Sequence, residues 1–349
     1  MVAKLDLTNL PPFPTDVRTA PIATISLAKI LGRDPEETQK VLKACQTYGF
    51  FYLDLTDAPT GKTLLSESEE LLNLSAEAFN LSDEEKQEFA LQKGVSLYGY
   101  KSAGTVKATD PDRRPDSTEF LNIGKDHLFG FAESRAYPPV IEEQRPLLKH
   151  FSKGAHDLGM LILTTLAREL GIDEKTFTER NIFTSTSQDH IRLTKKHPHP
   201  ADKTAIGLPS HTDFGCVTIL FNWLGGLQIQ SYEPDRLGQW DYVKPVPGTA
   251  IINMGDAMVV FTNGALKSAK HRVVPAPGAQ ADFDRYSVVY FVRPSNDQPM
   301  KPVEGFENQT GTVKVAGKFN DFLGSDKIHL AEEWMAKRTA QMGTYGPGN

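Results

Sequence analysis

Two hydrophobic patterns divide the chain, and this division limits the folds that it can adopt. Up to about residue 180 apolar residues recur at helical spacing, whereas beyond it they form short runs separated by Gly, Pro and Asn. Such runs are typical of an antiparallel β-sandwich or barrel. They occupy residues 217–221, 227–229, 250–253, 259–261, 271–274 and 286–292. We therefore predict an α+β chain, with helices first, a jelly-roll β core second, and a C-terminal helix over about 326–341.

The first half carries clear helix boundaries. Asp34 and Pro35 are typical of a helix start, and Gly49 ends that helix before a buried strand over 50–53. A second helix is predicted over 61–79.

Two further segments of the first half are predicted to form a long helix and a loop that covers a substrate. Residues 139–170 place many apolar side chains on one helical face, with Pro146 marking the start of the helix or a kink. Residues 94–135 combine Gly, Asp, Arg and Pro, and we expect them to be an irregular loop that covers a substrate.

Charge and composition argue against several classes of protein. The 38 Lys and Arg against 44 Asp and Glu give a net charge of −6, whereas a general nucleic-acid binder is expected to be basic. No apolar stretch approaches the roughly 18 residues needed to cross a bilayer. The N-terminal segment lacks the apolar run of a secretory signal, and two cysteines fit a reducing compartment. We expect a cytoplasmic protein that acts on a small molecule, without nucleic-acid or membrane partners and with its oligomeric state left open.

A His-x-Asp pair, His211 and Asp213, indicates a metal site. Residues two apart on a strand face the same side, so the imidazole and the carboxylate are expected side by side. His271, in a later strand pattern, is the candidate third ligand. Two imidazoles and a carboxylate with open positions are the set used by non-haem Fe(II) oxygenases. The pair alone carries little weight, because 9 histidines and 44 acidic residues among 349 give about one such pair by chance.

An anion-binding pair follows downstream. Arg285 and Ser287 open the apolar run over 286–292 and share one strand face. A guanidinium with a neighbouring hydroxyl is a good receptor for a carboxylate. A second Arg-x-Ser at Arg293 contains a proline and makes a poor strand.

At these residues the chain resembles the Fe(II)/2-oxoglutarate-dependent dioxygenases, in the branch similar to isopenicillin N synthase. The resemblance spans about residues 20–300, and its core is His-x-Asp, a distant His, then Arg-x-Ser. Further matching segments are Gly49-Phe50-Phe51, Gly226-Leu227-Gln228, Asn253-x-Gly255-Asp256, Thr262-Asn263-Gly264 and Lys267-Ser268-Ala269-x-His271-Arg272-Val273.

The resemblance implies a double-stranded β-helix with flanking helices. It implies that His211, Asp213 and His271 bind Fe(II), that Arg285 and Ser287 bind the distal carboxylate of 2-oxoglutarate, and that O2 is consumed. The regions expected from it are an N-terminal mixed region over 1–135, a long support helix over 136–180, the jelly-roll catalytic core over 181–300 and a C-terminal helical lid over 301–349.

One position departs from the family pattern. Family members place a co-substrate-binding Tyr in the strand after the long helix, and here that position falls on Lys196 or His197. Either side chain can donate a hydrogen bond to a carboxylate. Aromatic residues near the motifs are predicted to line the substrate pocket: Tyr98, Tyr100, Phe214, Phe221, Trp223 and Phe291.

The resemblance leaves alternatives for the reaction. The first function is oxidation of a C–H bond in a small organic substrate of specialised metabolism, by hydroxylation, desaturation or rearrangement, with release of succinate and CO2. The alternative is an Fe(II) oxidase like isopenicillin N synthase or aminocyclopropane-carboxylate oxidase, in which Arg285 and Ser287 hold the carboxylate of the substrate itself. A third possibility is a β-sandwich binding module without redox activity.

Overall fold

A computed structural model describes residues 5, 7, 9–92, 96–105, 116–198, 206–307 and 328–341. The strands in these ranges are β1 Thr24–Ser26, β2 Phe50–Asp54, β3 Gly99–Lys101, β4 Thr118–Gly124, β5 His190–Lys196, β6 Leu208–His211, β7 Val217–Asn222, β8 Leu227–Gln230, β9 Trp240–Tyr242, β10 Thr249–Met254, β11 His271–Val273 and β12 Arg285–Val292. The α-helices are α1 Leu27–Leu31, α2 Pro35–Thr47, α3 Pro59–Phe79, α4 Asp83–Glu88, α5 Lys125–Phe129, α6 Pro139–Glu142, α7 Arg145–Glu169, α8 Asp256–Phe261 and α9 Ala331–Gln341.

Two sheets form the β core. The larger sheet has the order β1-β2-β10-β7-β12-β5-β4-β3, and the smaller has the order β6-β11-β8-β9. Every pairing is antiparallel except that of β1 with β2. This arrangement confirms the predicted α+β class with a jelly-roll core and flanking helices.

Long helices cover one face of the larger sheet. Successive side chains of a strand alternate between the two faces of a sheet, so Phe221 of β7 points toward α7 and packs against Phe151, with 5.8 Å between ring centres. Gly159 of α7 lets the helix approach β12, because a Cβ there would lie 2.7 Å from Val292 Cγ2. The opposite face of the sheet is thereby left for the smaller sheet and the cavity described below.

The predicted boundaries in the first half are confirmed. Asp34 caps α2 by accepting a hydrogen bond from the Glu37 amide, and Gly49 follows the helix with a positive φ of 69°. The long apolar pattern forms α6 and α7, and Pro146 lies in the first turn of α7.

Two assignments from the sequence are wrong. Residues 259–261 belong to α8 and not to a strand, because a short run buried on every side has no periodicity that separates helix from strand. Residues 94–135 are not all irregular: they contain β3, β4 and α5, while 94–95 and 106–115 lie outside the described residues. Strand β4 was missed because all seven of its residues are buried although Thr118, Glu119 and Asn122 are polar.

The structure describes residues 301–307 and 328–341 of the predicted C-terminal lid. Helix α9 begins at Ala331, lines none of the cavity described below and packs against the chain just after β6, through Trp334 and Arg338. Residues 308–327 and 342–349 of the predicted lid lie outside the described residues. Among the helices that the structure describes, none is long and apolar enough to cross a membrane.

Replacing Phe151 by Ala is expected to destabilise the fold by about 3–5 kcal/mol, because it leaves a cavity between α7 and the larger sheet. Urea unfolding followed by circular dichroism measures this loss. The matched control is Lys153→Ala on the exposed side of the same helix, where an exposed pair with Asp157 contributes less than about 1 kcal/mol. Equal effects of the two substitutions would contradict the packing described here.

Candidate metal centre and co-substrate pocket

Three potential metal ligands meet between the two sheets. His211 ends β6 and is paired directly with His271 of β11, while Asp213 follows β6 in a segment outside the strands. The Nε2 atoms of His211 and His271 lie 3.7 and 3.8 Å from Asp213 Oδ1. All three ligand atoms lie within 4.8 Å of one another, a spacing that one metal ion can bridge.

Hydrogen bonds at the outer nitrogens orient both imidazoles. Nδ1 of His211 donates to the Pro209 carbonyl oxygen at 2.8 Å, and Nδ1 of His271 donates to the Ala269 carbonyl oxygen at 3.1 Å. A carbonyl oxygen only accepts, so the proton is on Nδ1 and the Nε2 lone pair faces the site. This is the second-sphere contact that metal-binding histidines usually make.

The Asp213 carboxylate is oriented in the same way. Its Oδ2 accepts hydrogen bonds from Thr218 Oγ1 and Asn253 Nδ2, both at 2.7 Å, which leaves Oδ1 toward the imidazoles. Burial opposes ionisation, but the neighbouring His271 and His211 and these two hydrogen bonds lower the pKa of Asp213 to about 2. Burial, followed by the charge of His271, lowers the pKa of His211 to about 3. A carboxylate and neutral imidazoles are the protonation states that bind metal, so the donor set fits a divalent transition metal such as Fe(II).

The reason given from sequence for the His211–Asp213 contact is wrong in one respect. Asp213 is not part of β6, which ends at His211, so strand alternation does not by itself place the carboxylate beside the imidazole. Hydrogen bonds from Thr218 of β7 and Asn253 of β10 hold the Asp213 carboxylate beside the imidazoles. Thr218 and Asn253 were not identified as site residues, although Asn253 begins one of the matching segments.

The donor set lies in a cavity that is lined by both apolar and polar side chains. Its apolar walls are Phe50, Leu208, Leu220, Leu227, Val273, Val289 and Phe291. Its polar walls are Thr118, Arg192, Thr194, His211, Asp213, Thr218, Asn253, His271, Arg285 and Ser287.

Arg285 is a buried cation in this cavity. Its side chain is held by one hydrogen bond, from Nε to the Gly225 carbonyl oxygen at 2.7 Å, and it makes no ion pair among the described residues. Burial lowers the pKa of Arg285 to about 10, so the group stays charged at neutral pH. The turn that supplies the carbonyl needs glycine, because Gly226 has a φ of 104° and a Cβ there would lie 2.6 Å from the Val274 carbonyl oxygen. A buried guanidinium in this state is a receptor for an anion.

Ser287 lies next to Arg285 on the cavity face of β12. Its hydroxyl forms a short hydrogen bond with the hydroxyl of Thr194, the residue directly opposite on β5. The predicted Arg–Ser pair therefore lies on one wall, with Thr194 as a third polar member that sequence reasoning did not identify.

Lys196 and His197 do not line the cavity. Lys196 is paired with Arg285 across β5 and β12, and its ammonium donates to the His197 carbonyl oxygen at 3.0 Å. Burial, with the neighbouring charge of Arg285, lowers the pKa of Lys196 to about 8. The His197 ring lies 3.0 Å from a Glu119 carboxylate oxygen. Neither residue thus belongs to the wall of the cavity that contains the donor set and Arg285.

Of the six aromatic residues predicted as pocket walls, only Phe291 lines the cavity. Strand alternation turns Phe221 toward α7, and Phe214 packs beneath Arg338 of α9. The other three lie elsewhere: Tyr98 packs on His127 and His190, Tyr100 donates to Glu119 at 2.7 Å, and Trp223 lines other surface cavities.

Arg192 was not predicted as a site residue, yet it lines the same cavity. Its guanidinium carbon lies 4.3 Å from the centre of the Phe120 ring and 5.1 Å from that of Phe291, and Nε donates to Asn122 Oδ1 at 2.8 Å. No local pattern marks this residue, because its place in the cavity depends on the pairing of β5 with β12.

Comparison with known proteins agrees with this geometry. Residues 187–294 match the model of the 2OG-Fe(II) oxygenase superfamily. Residues 21–141 match the N-terminal region described as that of a non-haem dioxygenase in morphine synthesis.

Relatives extend over almost the whole chain. A 2-oxoglutarate-dependent dioxygenase of Aspergillus fumigatus is 32% identical, with 97% of this chain and 94% of that protein covered. Another from a Dothideomycetidae species, frbH, is 32% identical, with 83% and 87% covered. The fold is similar to that of a full-length Neurospora crassa protein, solved in complex with α-ketoglutarate, at a TM-score of 0.74, 24% identity and coverage of 91% and 96%. These findings confirm the first of the functions predicted from sequence: the chain belongs to the 2-oxoglutarate–Fe(II) oxygenase superfamily, as a non-haem dioxygenase that uses Fe(II), 2-oxoglutarate and O2.

Proposed function

We propose that His211, Asp213 and His271 bind Fe(II), and that Arg285 with Ser287 binds the distal carboxylate of 2-oxoglutarate. The observation that carries this proposal is that one cavity contains both groups: an oriented His–Asp–His donor set and a buried arginine that forms no ion pair among the described residues. The 2-oxoglutarate dianion can occupy both at once, with its ketoacid end at the metal and its other carboxylate at Arg285.

The chain's own residues orient the reactants and exclude water. When bound, ferrous iron with 2-oxoglutarate and O2 supplies the oxidant that removes hydrogen from a substrate C–H bond, with release of succinate and CO2. Thr218 and Asn253 hold the carboxylate ligand in place, while Leu208, Leu220 and Val273 keep the cavity apolar around it. A water-poor cavity limits side reactions of the oxidant. Whether the substrate is hydroxylated, desaturated or rearranged then depends on its pose.

For the substrate, we propose a small organic acid whose carboxylate is bound by Arg192. Asp213 is the only carboxylate among the described cavity residues, whereas Arg192 and Arg285 both line the cavity. Arg285 is assigned to the co-substrate, and Arg192 is the second cation that lines the cavity.

Replacing His211 by Ala is expected to abolish the visible charge-transfer band that Fe(II) and 2-oxoglutarate give together without O2, because one of the three metal ligands is lost. Substrate-dependent succinate formation should disappear with it. The control is His150→Ala, since His150 lies on the exposed side of α7 and contacts Glu67. A band of normal intensity in the His211 variant would overturn the ligand assignment.

Replacing Arg285 by Met is expected to raise the concentration of 2-oxoglutarate needed for half-maximal charge-transfer absorption. Loss of a buried charged contact costs about 2 kcal/mol or more, which is at least about 30-fold. The control is Arg168→Met, because Arg168 pairs with Glu174 at the far end of α7. An Arg285 variant with the same 2-oxoglutarate dependence as this control would assign the anion to other residues.

Organic acids are expected to stimulate succinate formation by the wild-type enzyme more than their methyl esters do. In Arg192→Met this preference should disappear, whereas Arg192→Lys should keep part of it, because Lys retains the charge without the bidentate geometry. Succinate formation measured over paired acids and esters tests this. Stimulation by esters alone, or an unchanged preference in Arg192→Met, would contradict the proposed substrate class.

A further inference from the structure

Helix α9 contacts the segment that carries Asp213. We call residues 212–216 the ligand loop. On the inner face of α9, the fully buried Trp334 donates from Nε1 to the Phe214 carbonyl oxygen at 3.3 Å. One turn later, the guanidinium of Arg338 lies 4.8 Å from the centre of the Phe214 ring. The helix therefore holds both the backbone and the side chain of the residue that follows Asp213.

Asp256 connects α9 to the other side of the ligand loop. Its Oδ2 accepts hydrogen bonds from Arg338 Nη2 and from Thr212 Oγ1, both at 2.8 Å. Its backbone amide donates to the carbonyl oxygen of Asp213 at 2.7 Å. The Asp256 carboxylate thus links α9 to Thr212, and the Asp256 amide binds the backbone carbonyl of Asp213.

The N-terminus of α8 completes this contact. The Ala257 amide approaches the carbonyl oxygens of Phe214 and Gly215 at 3.2 and 3.1 Å. Gly255 is required for the close approach, because a Cβ there would lie 2.2 Å from the Gly215 carbonyl oxygen. Residues 212–216 lie outside the strands, and among them the Cys216 amide donates to the Val292 carbonyl oxygen of β12 at 2.8 Å. The contacts with α8 and α9 therefore act together with Thr218 and Asn253 in placing the Asp213 carboxylate.

We propose that Arg338 is a positioning residue for the metal, and that docking of α9 and metal binding strengthen each other through Asp256 and the ligand loop. This inference rests on the proposed assignment of Asp213, His211 and His271 as ligands. Coupling between two binding events is reciprocal: if docked α9 raises metal affinity, bound metal must also stabilise docked α9.

The chemistry of the contact supports positioning over simple packing. The Arg338–Asp256 pair is almost completely buried, with 7% and 1% of the side chains exposed. A buried ion pair commonly adds no more stability than apolar residues of similar volume. The pair instead fixes an orientation: the charged hydrogen bond from Arg338 holds the Asp256 carboxylate, which also accepts a hydrogen bond from Thr212.

The first test titrates each protein with Co(II), a spectroscopic probe of the site, in the absence of O2 and 2-oxoglutarate. We expect Arg338→Met to bind Co(II) about 10- to 100-fold more weakly than wild type, the loss typical of second-sphere partners, and Arg338→Lys to recover part of the affinity. The matched control is Lys337→Met on the exposed face of α9. Equal Co(II) affinity in the Arg338→Met and Lys337→Met variants would overturn the inference.

The second test needs no substitution that weakens folding. Hydrogen–deuterium exchange of α9 amides is measured in wild type with and without Co(II). We expect slower exchange with Co(II), and the same rate in both conditions would overturn the inference.

His211→Ala separates the two proposals. If this variant loses Co(II) binding while Arg338→Met binds like the control, the coupling to α9 is wrong and the ligand assignment stands. If His211→Ala binds Co(II) as wild type does, the ligand assignment fails and this inference fails with it.

Discussion

The orientation of the Asp213 carboxylate links the candidate metal centre to the packing of the two sheets. Oδ2 of Asp213 is held by Thr218 and Asn253, which are directly paired neighbours on β7 and β10 of the larger sheet. Oδ1 faces His211 and His271, which are directly paired neighbours in the smaller sheet. Turning the carboxylate away would leave buried donors without partners, at about 1–3 kcal/mol each. The donor set therefore forms only when the two sheets face each other, so correct folding of the core and assembly of the metal centre are one event.

Arg285, which is buried in the same cavity, lowers the stability of the fold. Taking a guanidinium out of water is unfavourable, and one carbonyl contact from Gly225 offsets only part of that cost. Under the proposed assignment, the distal carboxylate of the co-substrate would supply the missing partner and relieve this electrostatic cost. Binding of the dianion and a gain in the stability of the fold would then have the same origin.

Much of the fold could be predicted because its signals are local, and the predicted metal ligands lie together in one cavity with Arg285 and Ser287. The cap at Asp34, the period of α7 and the alternation in β12 are set by nearby residues. What failed depends on distant packing. Strand β4 hides polar residues that become buried only against β5 and β3, and Phe221 faces α7 because of a sheet order that its own segment does not encode. The roles of Thr218 and of Arg192 arise in the same way, from neighbours far along the chain.

Strand β12 presents four cavity residues on one of its faces. Arg285, Ser287, Val289 and Phe291 point to the same side of it, and the six steps of the strand from Arg285 to Phe291 span about 20 Å. Under the proposed assignment, the residues that bind the co-substrate and the residues that face the substrate follow one another along this single strand. Substitutions at 289 or 291 can diversify the compounds accepted while 285 and 287 stay as they are. Insertion or deletion of one residue within the strand would instead turn the side chains beyond it to the opposite face, so new specificities in this lineage are expected to arise by exchange of side chains and not by changes in strand length.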